Sequence, residues 1–439
     1  MEKVVVVGAG PAGLFAAQEL VNHAYDVTVV DKAGVVGGQG LNIDGKFNFH
    51  IKVGWDSAEF LPEPEAWGVV DKIEKTFEKY GDADNYYDEK KLDDLVQKSN
   101  QAGIEFIKIK QKHIGSDLLP GIMNKFKDDL EKSGVKFKLK TSAGNLLLKN
   151  GLIEEVATSD GNLECDHAIL APGRPGYSWL KDMCDRLGLD VKFNPLDVGV
   201  RVEVRNELFR DIVELYNCHD PKFHIRTPSH DDFVRTFCVC YGGYVTKEKY
   251  GNLYGVNGHS YSKRGNHSDN TNFAFLVRRE LTEPVSDTTA VGEKLMELGN
   301  VWGGGKPIIQ RLDDVKNHRR STWERIGKSY VNPTLRDVTP GDITSALDYR
   351  TVYDILEGLE MLDKVIPGVN AGHTLLYYPE IKFYARRVVT NGLLQTKIQN
   401  LYVAGDGAGV SRGIVGAAAT GIIAARGIKE GKMVKKFSK

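Results

Sequence analysis

The stretch Val4-Val5-Val6-Val7-Gly8-Ala9-Gly10-Pro11-Ala12-Gly13, followed by Val27-Thr28-Val29-Val30-Asp31, decides the fold. Four valines in a row read as a strand buried on both faces, as in a parallel sheet. The Gly-x-Gly-x-x-Gly turn then opens a helix from Pro11 to about residue 23, and a second strand ends on an acid. The three glycines serve different mechanical ends. Gly8 allows the tight turn, Gly10 lets backbone approach a pyrophosphate at the helix N-terminus, and Gly13 lets helix and strand pack closely. Asp31 is placed to accept hydrogen bonds from adenosine ribose hydroxyls, and its charge would repel a 2′-phosphate, which argues against NADP in this site. Ala12, Lys32 and Gly38 flank the same cradle.

Composition bounds the rest. The chain has 439 residues, enough for two or three interleaved domains. Lys and Arg number 58 against 59 Asp and Glu, a net charge of −1, so no global field favours nucleic acid or an anionic bilayer. The opening Met-Glu-Lys lacks the basic region of a secretory signal, and no run of about 18 apolar residues occurs. Five cysteines stand at 165, 184, 218, 238 and 240 without zinc-type or disulfide-framework spacing, so no metal centre is expected. Together these predict a cytoplasmic protein.

Residues 65–132 alternate charged and apolar residues at helical spacing and predict a helical insertion. Between 135 and 170, short strand-like runs separated by Asn150-Gly151 and Asp160-Gly161 predict a β-meander with tight turns. The strand-rich middle, with many Asn, His, Arg and aromatic residues, reads as a substrate domain. The expected class is therefore α/β: a Rossmann-like FAD-binding domain with β-meander over 1–62, 134–173 and 371–430, an inserted helical segment over 63–133, a β-rich substrate domain over 174–370, and a basic tail at 431–439.

The cofactor follows from resemblance. Thr396-Lys-Ile-Gln-Asn-Leu-Tyr-Val-Ala-Gly-Asp406 resembles the second FAD motif of the two-dinucleotide-binding flavoprotein superfamily, which implies that Gly405 and Asp406 hold the ribityl or flavin-side phosphate. The helix opening at Gly413 and Ile414 would then aim its positive end at the flavin. Ala171-Pro172-Gly173 is similar to the superfamily's crossing segment, with proline in place of threonine. Gly40 and Gly45 occupy the positions where flavin disulfide reductases carry their redox cysteines, which excludes that chemistry there.

Nearly the whole chain resembles the family of FAD-dependent dehydrogenases. The resemblance rests on Gln111-Lys-His-Ile-Gly-Ser-Asp117, Asp197-Val-Gly-Val-Arg-Val-Glu203, Arg235-Thr-Phe-Cys-Val-Cys-Tyr-Gly-Gly243, Val256-Asn-Gly-His259, Thr271-Asn-Phe273, Tyr378-Pro-Glu-Ile-Lys-Phe-Tyr384 and Gly405-Asp-Gly-Ala-Gly409, with Tyr241 where the family has proline. It implies hydride exchange between flavin N5 and a small molecule, and it names no substrate.

Candidate catalytic residues are Arg201 and Arg235, as anchors for a substrate carboxylate or as partners of an internal acid such as Glu203, and His259 for proton transfer. Alternating geometry would put Cys238, Cys240 and Thr236 on one strand face, where core packing is favoured over a dithiol role. His113 and Asp117 are spaced as a helix-capping pair, and Arg412 precedes the last helix. No second nucleotide fingerprint occurs, so NAD(P)H or a diffusible carrier would serve as redox partner. A flavin monooxygenase, an isoprenoid reductase with an apolar tunnel, and a non-catalytic flavin sensor share this architecture.

Overall fold

The computed structural model describes all residues except 22–24, 39–45, 82–83, 86–88, 114–117, 262–263, 281–286 and 438–439. For 46, 84–85, 89, 113, 264 and 432–437 it describes only the backbone. The chain divides into two compact units, Met1–Asn85 with Lys110–Asn194 and Ala385–Lys439, and Tyr86–Ile109 with Pro195–Tyr384.

The first unit is built on a five-stranded parallel sheet in the order Leu401–Val403, His167–Leu170, Lys3–Val7, Asp26–Asp31, Lys136–Leu139. The valine run is the centre of this sheet, at 0–6% exposure, and the sheet is covered by helices Pro11–Val21 and Gly413–Phe437 and by the strand Leu152–Thr158. Helix Pro11–Val21 follows the glycine turn, and helix Gly413–Phe437 returns from the far end of the chain to lie against it. Their approach is set by Gly421, where a Cβ would stand 2.0 Å from the Ala12 carbonyl oxygen. Phe15 adds aromatic contacts to Phe77 of helix Glu63–Tyr80, at 5.5 Å, and to Phe126 of helix Leu119–Lys132, at 5.1 Å.

The expected meander is the antiparallel sheet Ala143–Lys149, Leu152–Thr158, Gly161–Glu164. Its first turn is Asn150-Gly151, with φ of 54° and 78°, the left-handed pair that a two-residue hairpin turn demands.

The second unit carries an eight-stranded sheet in the order 339–340, 308–311, 375–382, 196–205, 270–279, 233–240, 222–226, 104–107. One face is apolar. Val198, Val200, Val202 and Val204 pack with Phe273, Phe275 and Leu376 beneath helices Thr288–Trp302 and Tyr349–Asp363. The other face carries Asp197, Arg201 and Glu203 from the same strand, which is alternation in its plainest form.

Four of the expected boundaries move. Residues 63–133 are not a separate helical insertion, because helices Glu63–Tyr80 and Leu119–Lys132 pack into the first unit while strand Ile104–Ile107 pairs with Lys222–Arg226 at the edge of the second unit's sheet. Residues 371–384 leave the FAD-binding segment because Leu375–Lys382 lies between 196–205 and 308–311. Residues 174–194 join the first unit. The final helix runs on through the expected basic tail to Phe437.

Replacing Gly421 with valine forces the two helices that join the chain's ends apart. Urea unfolding of the first unit should show a loss of about 1–3 kcal/mol or more, with the far-ultraviolet spectrum of the folded state retained.

Candidate functional site

The fingerprint turn is fixed by backbone-to-backbone contacts that only glycine permits. Gly8 has φ of 113°, and a Cβ on it would lie 2.1 Å from the Ala171 carbonyl oxygen. A Cβ on Gly13 would lie 1.8 Å from the Gly8 oxygen. A third segment closes on the same place, since a Cβ on Gly407 would stand 2.3 Å from the Gly173 oxygen. Residues 8, 171–173 and 405–407 are thereby brought together, the three stretches singled out from the sequence. Gly405 itself has φ of 80° and sits against the Ala12 methyl.

Gly10 is different. A Cβ there would meet no atom within 4 Å, so the space above the amides that open helix Pro11–Val21 is clear for a pyrophosphate. Gly38, with φ of 57°, packs on Gly10, while Lys32 is exposed with its ammonium donating to the Pro175 carbonyl at 3.5 Å. Asp31 accepts from the Ala9 and Ala33 amides, both at 2.7 Å. Each oxygen keeps a lone pair for a ribose hydroxyl.

At the other end of the cradle, Asp406 accepts from the Ser411 hydroxyl at 3.1 Å and the Gly413 amide at 3.2 Å, with Arg174 Nε at 3.3 Å. Burial pushes this carboxyl above its usual value of 3.8. Gly413 has φ of 70° and open space where a Cβ would stand, and Ile414 is buried behind it. The Arg412 amide donates to Gly54, so its backbone is tied to a neighbouring loop. These residues fit a dinucleotide whose phosphates meet the first helix and whose flavin side meets Asp406.

In the second unit the polar sheet face is shaped by two bulges. Register slips between Phe237 and Cys240 against strand 270–279, and Arg201 pairs with Tyr377 while Gly199 pairs with Glu380. Each slip inserts one residue, which flips parity and brings Cys240 and Glu380 onto the face of Arg201. Thr236 stays on the opposite side, donating to the Pro221 carbonyl and accepting from the Phe223 amide. The expectation that Thr236, Cys238 and Cys240 share a face is therefore corrected.

Arg201 is fully buried. It donates to Asn272 Oδ1 at 2.8 Å and the Cys238 carbonyl at 2.7 Å, with Glu380 at 3.8 Å. Gly258 makes room for it, because a Cβ there would lie 1.7 Å from the guanidinium. Glu203 is not its partner: that carboxylate accepts from Thr334 and Tyr377, both at 2.5 Å, and Asn270 at 3.1 Å. Burial still raises it.

Arg235 is 14% exposed, donates to Asp197 at 2.5 Å, and lies 4.9 Å over the Phe237 ring. Lys222 and Lys382 stand 5.1 and 6.0 Å from the same ring. Asp197 faces both Arg235 and Arg278, and Glu380 faces both Arg201 and Lys382. Asp220 holds Lys222 at 2.5 Å, so three carboxylates meet five cations beside a half-buried aromatic ring. His259 is exposed at the end of strand Leu253–His259, edge-on to Tyr261 at 4.8 Å.

His230, Asp232 and Asp354 bring ligand-type atoms within 4.8 Å of one another. Arg350 already holds both Asp232 oxygens, at 2.7 and 2.9 Å, and keeps that carboxyl low, so this is an ion-pair network. The Gly40 and Gly45 positions, His113's side chain and Asp117 lie outside the described residues.

Residues 6–73 match the NAD(P)-binding Rossmann-like domain family, and residues 195–382 match the family described as FAD-dependent protein, C-terminal domain-like. The chain thus joins a Rossmann-like dinucleotide-binding domain to a domain of FAD-dependent proteins. A Clostridium beijerinckii protein described as uncharacterized is 26% identical to this chain, over 97% of it and 80% of its own length. Among solved structures, L-proline dehydrogenase from P. horikoshii is 12% identical with a TM-score of 0.42, covering 98% of this chain and 94% of its own. Glycine oxidase from Bacillus cereus is 12% identical with a TM-score of 0.40, covering 98% and 96%. No helix among the described residues is long and apolar enough to cross a membrane.

Phe237, Glu380 and Lys382 lie inside segments that carry the family resemblance, yet those segments assign them no role, and Lys222 lies in no such segment. The proline inside Tyr378-Pro379-Glu380 was the available signal, since proline within a strand marks a bulge.

Because burial raises the Asp406 carboxyl, folding favours its protonated form. That contribution is complete below the ordinary value and is lost as pH rises through the folded one. Asp406→Asn should therefore leave the FAD-free protein at least as stable as wild type at pH 7–8 in thermal melts. The same variant should release FAD more readily in equilibrium dialysis, by roughly 1.5–3 kcal/mol or about 10- to 150-fold.

Proposed function

We propose that this FAD-dependent oxidoreductase is a dehydrogenase or reductase of a polar, carboxylate-bearing small molecule bound on the polar sheet face of the second unit. The observation that supports the reading is the Phe237 ring with Arg235, Lys222 and Lys382 within 6.0 Å, in a cluster where Asp197, Asp220 and Glu380 meet five cations, Arg201 and Arg278 included. The flavin, when bound, supplies the two-electron hydride chemistry.

The chain's own residues do the positioning. Arg235 offers a planar fork that fixes a carboxylate in one orientation, and its Nε has no hydrogen-bond partner among the described residues. Asp197, held also by the Tyr384 hydroxyl at 2.7 Å, keeps that fork from swinging. Lys382 adds a point charge, and Phe237 gives the substrate an apolar floor. Arg201 lies buried within the same face and braces it, donating to Asn272 and the Cys238 carbonyl. His259 is assigned the proton that accompanies hydride exchange, because an exposed imidazole can donate or accept it. NAD(P)H or a diffusible carrier completes the electron balance.

An anaerobic stopped-flow survey should find a carboxylated metabolite that bleaches the oxidised flavin or restores the reduced one. Arg235→Lys keeps the charge opposite Asp197 but loses the fork. Its kcat/KM for that metabolite should fall about 10- to 100-fold, with FAD content unchanged. Electron exchange with NAD(P)H and oxygen alone, yielding a hydroxylated product, would overturn the reading in favour of a monooxygenase.

A further inference from the structure

Carboxylate binding leaves Cys238 and Cys240 without a role, yet the structure treats them unlike the other cysteines. Cys165, Cys184 and Cys218 are buried, and burial holds their thiols up at about 12, 11 and 12 respectively. They are inert packing groups. The pair at 238 and 240 sits instead on a positive charge.

Cys238 has φ of 49°, a left-handed kink at the bulge that ends the ladder between 233–240 and 270–279. The kink turns its carbonyl onto Arg201 Nη2, and the same nitrogen lies 3.4 Å from Cys240 Sγ. The Cys240 thiol in turn faces the Cys238 carbonyl at 3.5 Å. Both sulfurs interact with the Arg201 charge. The acid nearest that guanidinium, Glu380, is 3.8 Å away and is shared with Lys382 at 2.5 Å. A cation so weakly neutralised stabilises thiolate beside it. Cys238 is half-buried and Cys240 buried, so one sulfur is open to attack from solvent chemistry and the other waits behind it.

We infer that Cys238 and Cys240 form a dithiol–disulfide couple, a second two-electron centre that exchanges with small-molecule disulfides. The Cys238 thiolate attacks one sulfur of R–S–S–R, forming the Cys238–S–S–R bond and breaking the reagent's own, with release of RS⁻. The Cys240 proton passes to that thiolate, and Cys240 then attacks the Cys238 sulfur and expels the second RS⁻. One reagent disulfide is reduced to two thiols as one protein disulfide forms, and the reverse sequence restores the dithiol. The inference is independent of the carboxylate reading.

Residues 236–247 lie between tryptic sites at Arg235 and Lys247 and hold both cysteines and no other. Holoprotein equilibrated under argon in glutathione buffers of rising oxidation, acid-quenched, unfolded, alkylated and digested, should show this peptide passing from doubly alkylated to unalkylated and two hydrogens lighter. Cys165, Cys184 and Cys218 should stay alkylatable throughout. In native protein at pH 7, Cys238 should react with iodoacetamide at least about 100-fold faster than Cys184. Cys240→Ser should stop at a glutathione adduct on Cys238, and Cys238→Ser should take none. The inference is overturned if the 236–247 peptide stays doubly alkylated across the range, oxidises only when the three buried cysteines do, or forms its adduct at Cys240. The wild-type titration decides even if a variant fails to fold.

Discussion

Everything in the first unit depends on backbone touching backbone at glycine. Where Gly8 meets Ala171, Gly13 meets Gly8 and Gly407 meets Gly173, a Cβ would stand 1.8–2.3 Å from a carbonyl oxygen. No side chain can be accommodated by small adjustments at such distances. The contacts fix three remote segments in one place, and the open space at Gly10 exists because its neighbours are locked. The open space is thus a by-product of close packing, bounded by the amides that open the first helix and by two acids, Asp31 and Asp406.

The second unit solves a different problem, that of holding many charges on a sheet. Asp197, Arg201 and Glu203 alternate with valines at 198, 200, 202 and 204, so one strand separates the apolar layer from the charged one. Glu203 has three side-chain partners in Thr334, Tyr377 and Asn270, which lets it sit at 0% exposure, whereas the equally buried Glu380 is held by charge alone, facing Lys382 and Arg201.

Much of this was legible in the sequence because it rests on local rules. The valine strand, the glycine turn, Asp31, the Asn150-Gly151 hairpin and the strand ending at Asp406 are each read from a handful of neighbouring residues. The polar face was legible only by half. Arg201 and Arg235 stood out as charges within strands, but their partners depend on register between strands far apart in the chain. Two bulges reverse parity at Cys240 and Glu380, and no alternation count crosses a bulge correctly. The left-handed Cys238 carries no local signal at all. Strand 104–107 was absorbed into a helical reading because helices surround it in sequence while its hydrogen bonds go to 222–226.

The parallel sheet of the first unit has its strands His167–Leu170 and Leu401–Val403 side by side. During synthesis the ribosome makes the first of these long before the second, with the second unit's main sheet in between. At ordinary elongation rates the gap is roughly 10–50 s. For that interval the edge of 167–170 has no neighbour, and the face of helix Pro11–Val21 that Gly421 will cover lies bare. The second unit can close on its own sheet meanwhile, so the order of folding inverts the order of the chain, and the unit that starts first finishes last.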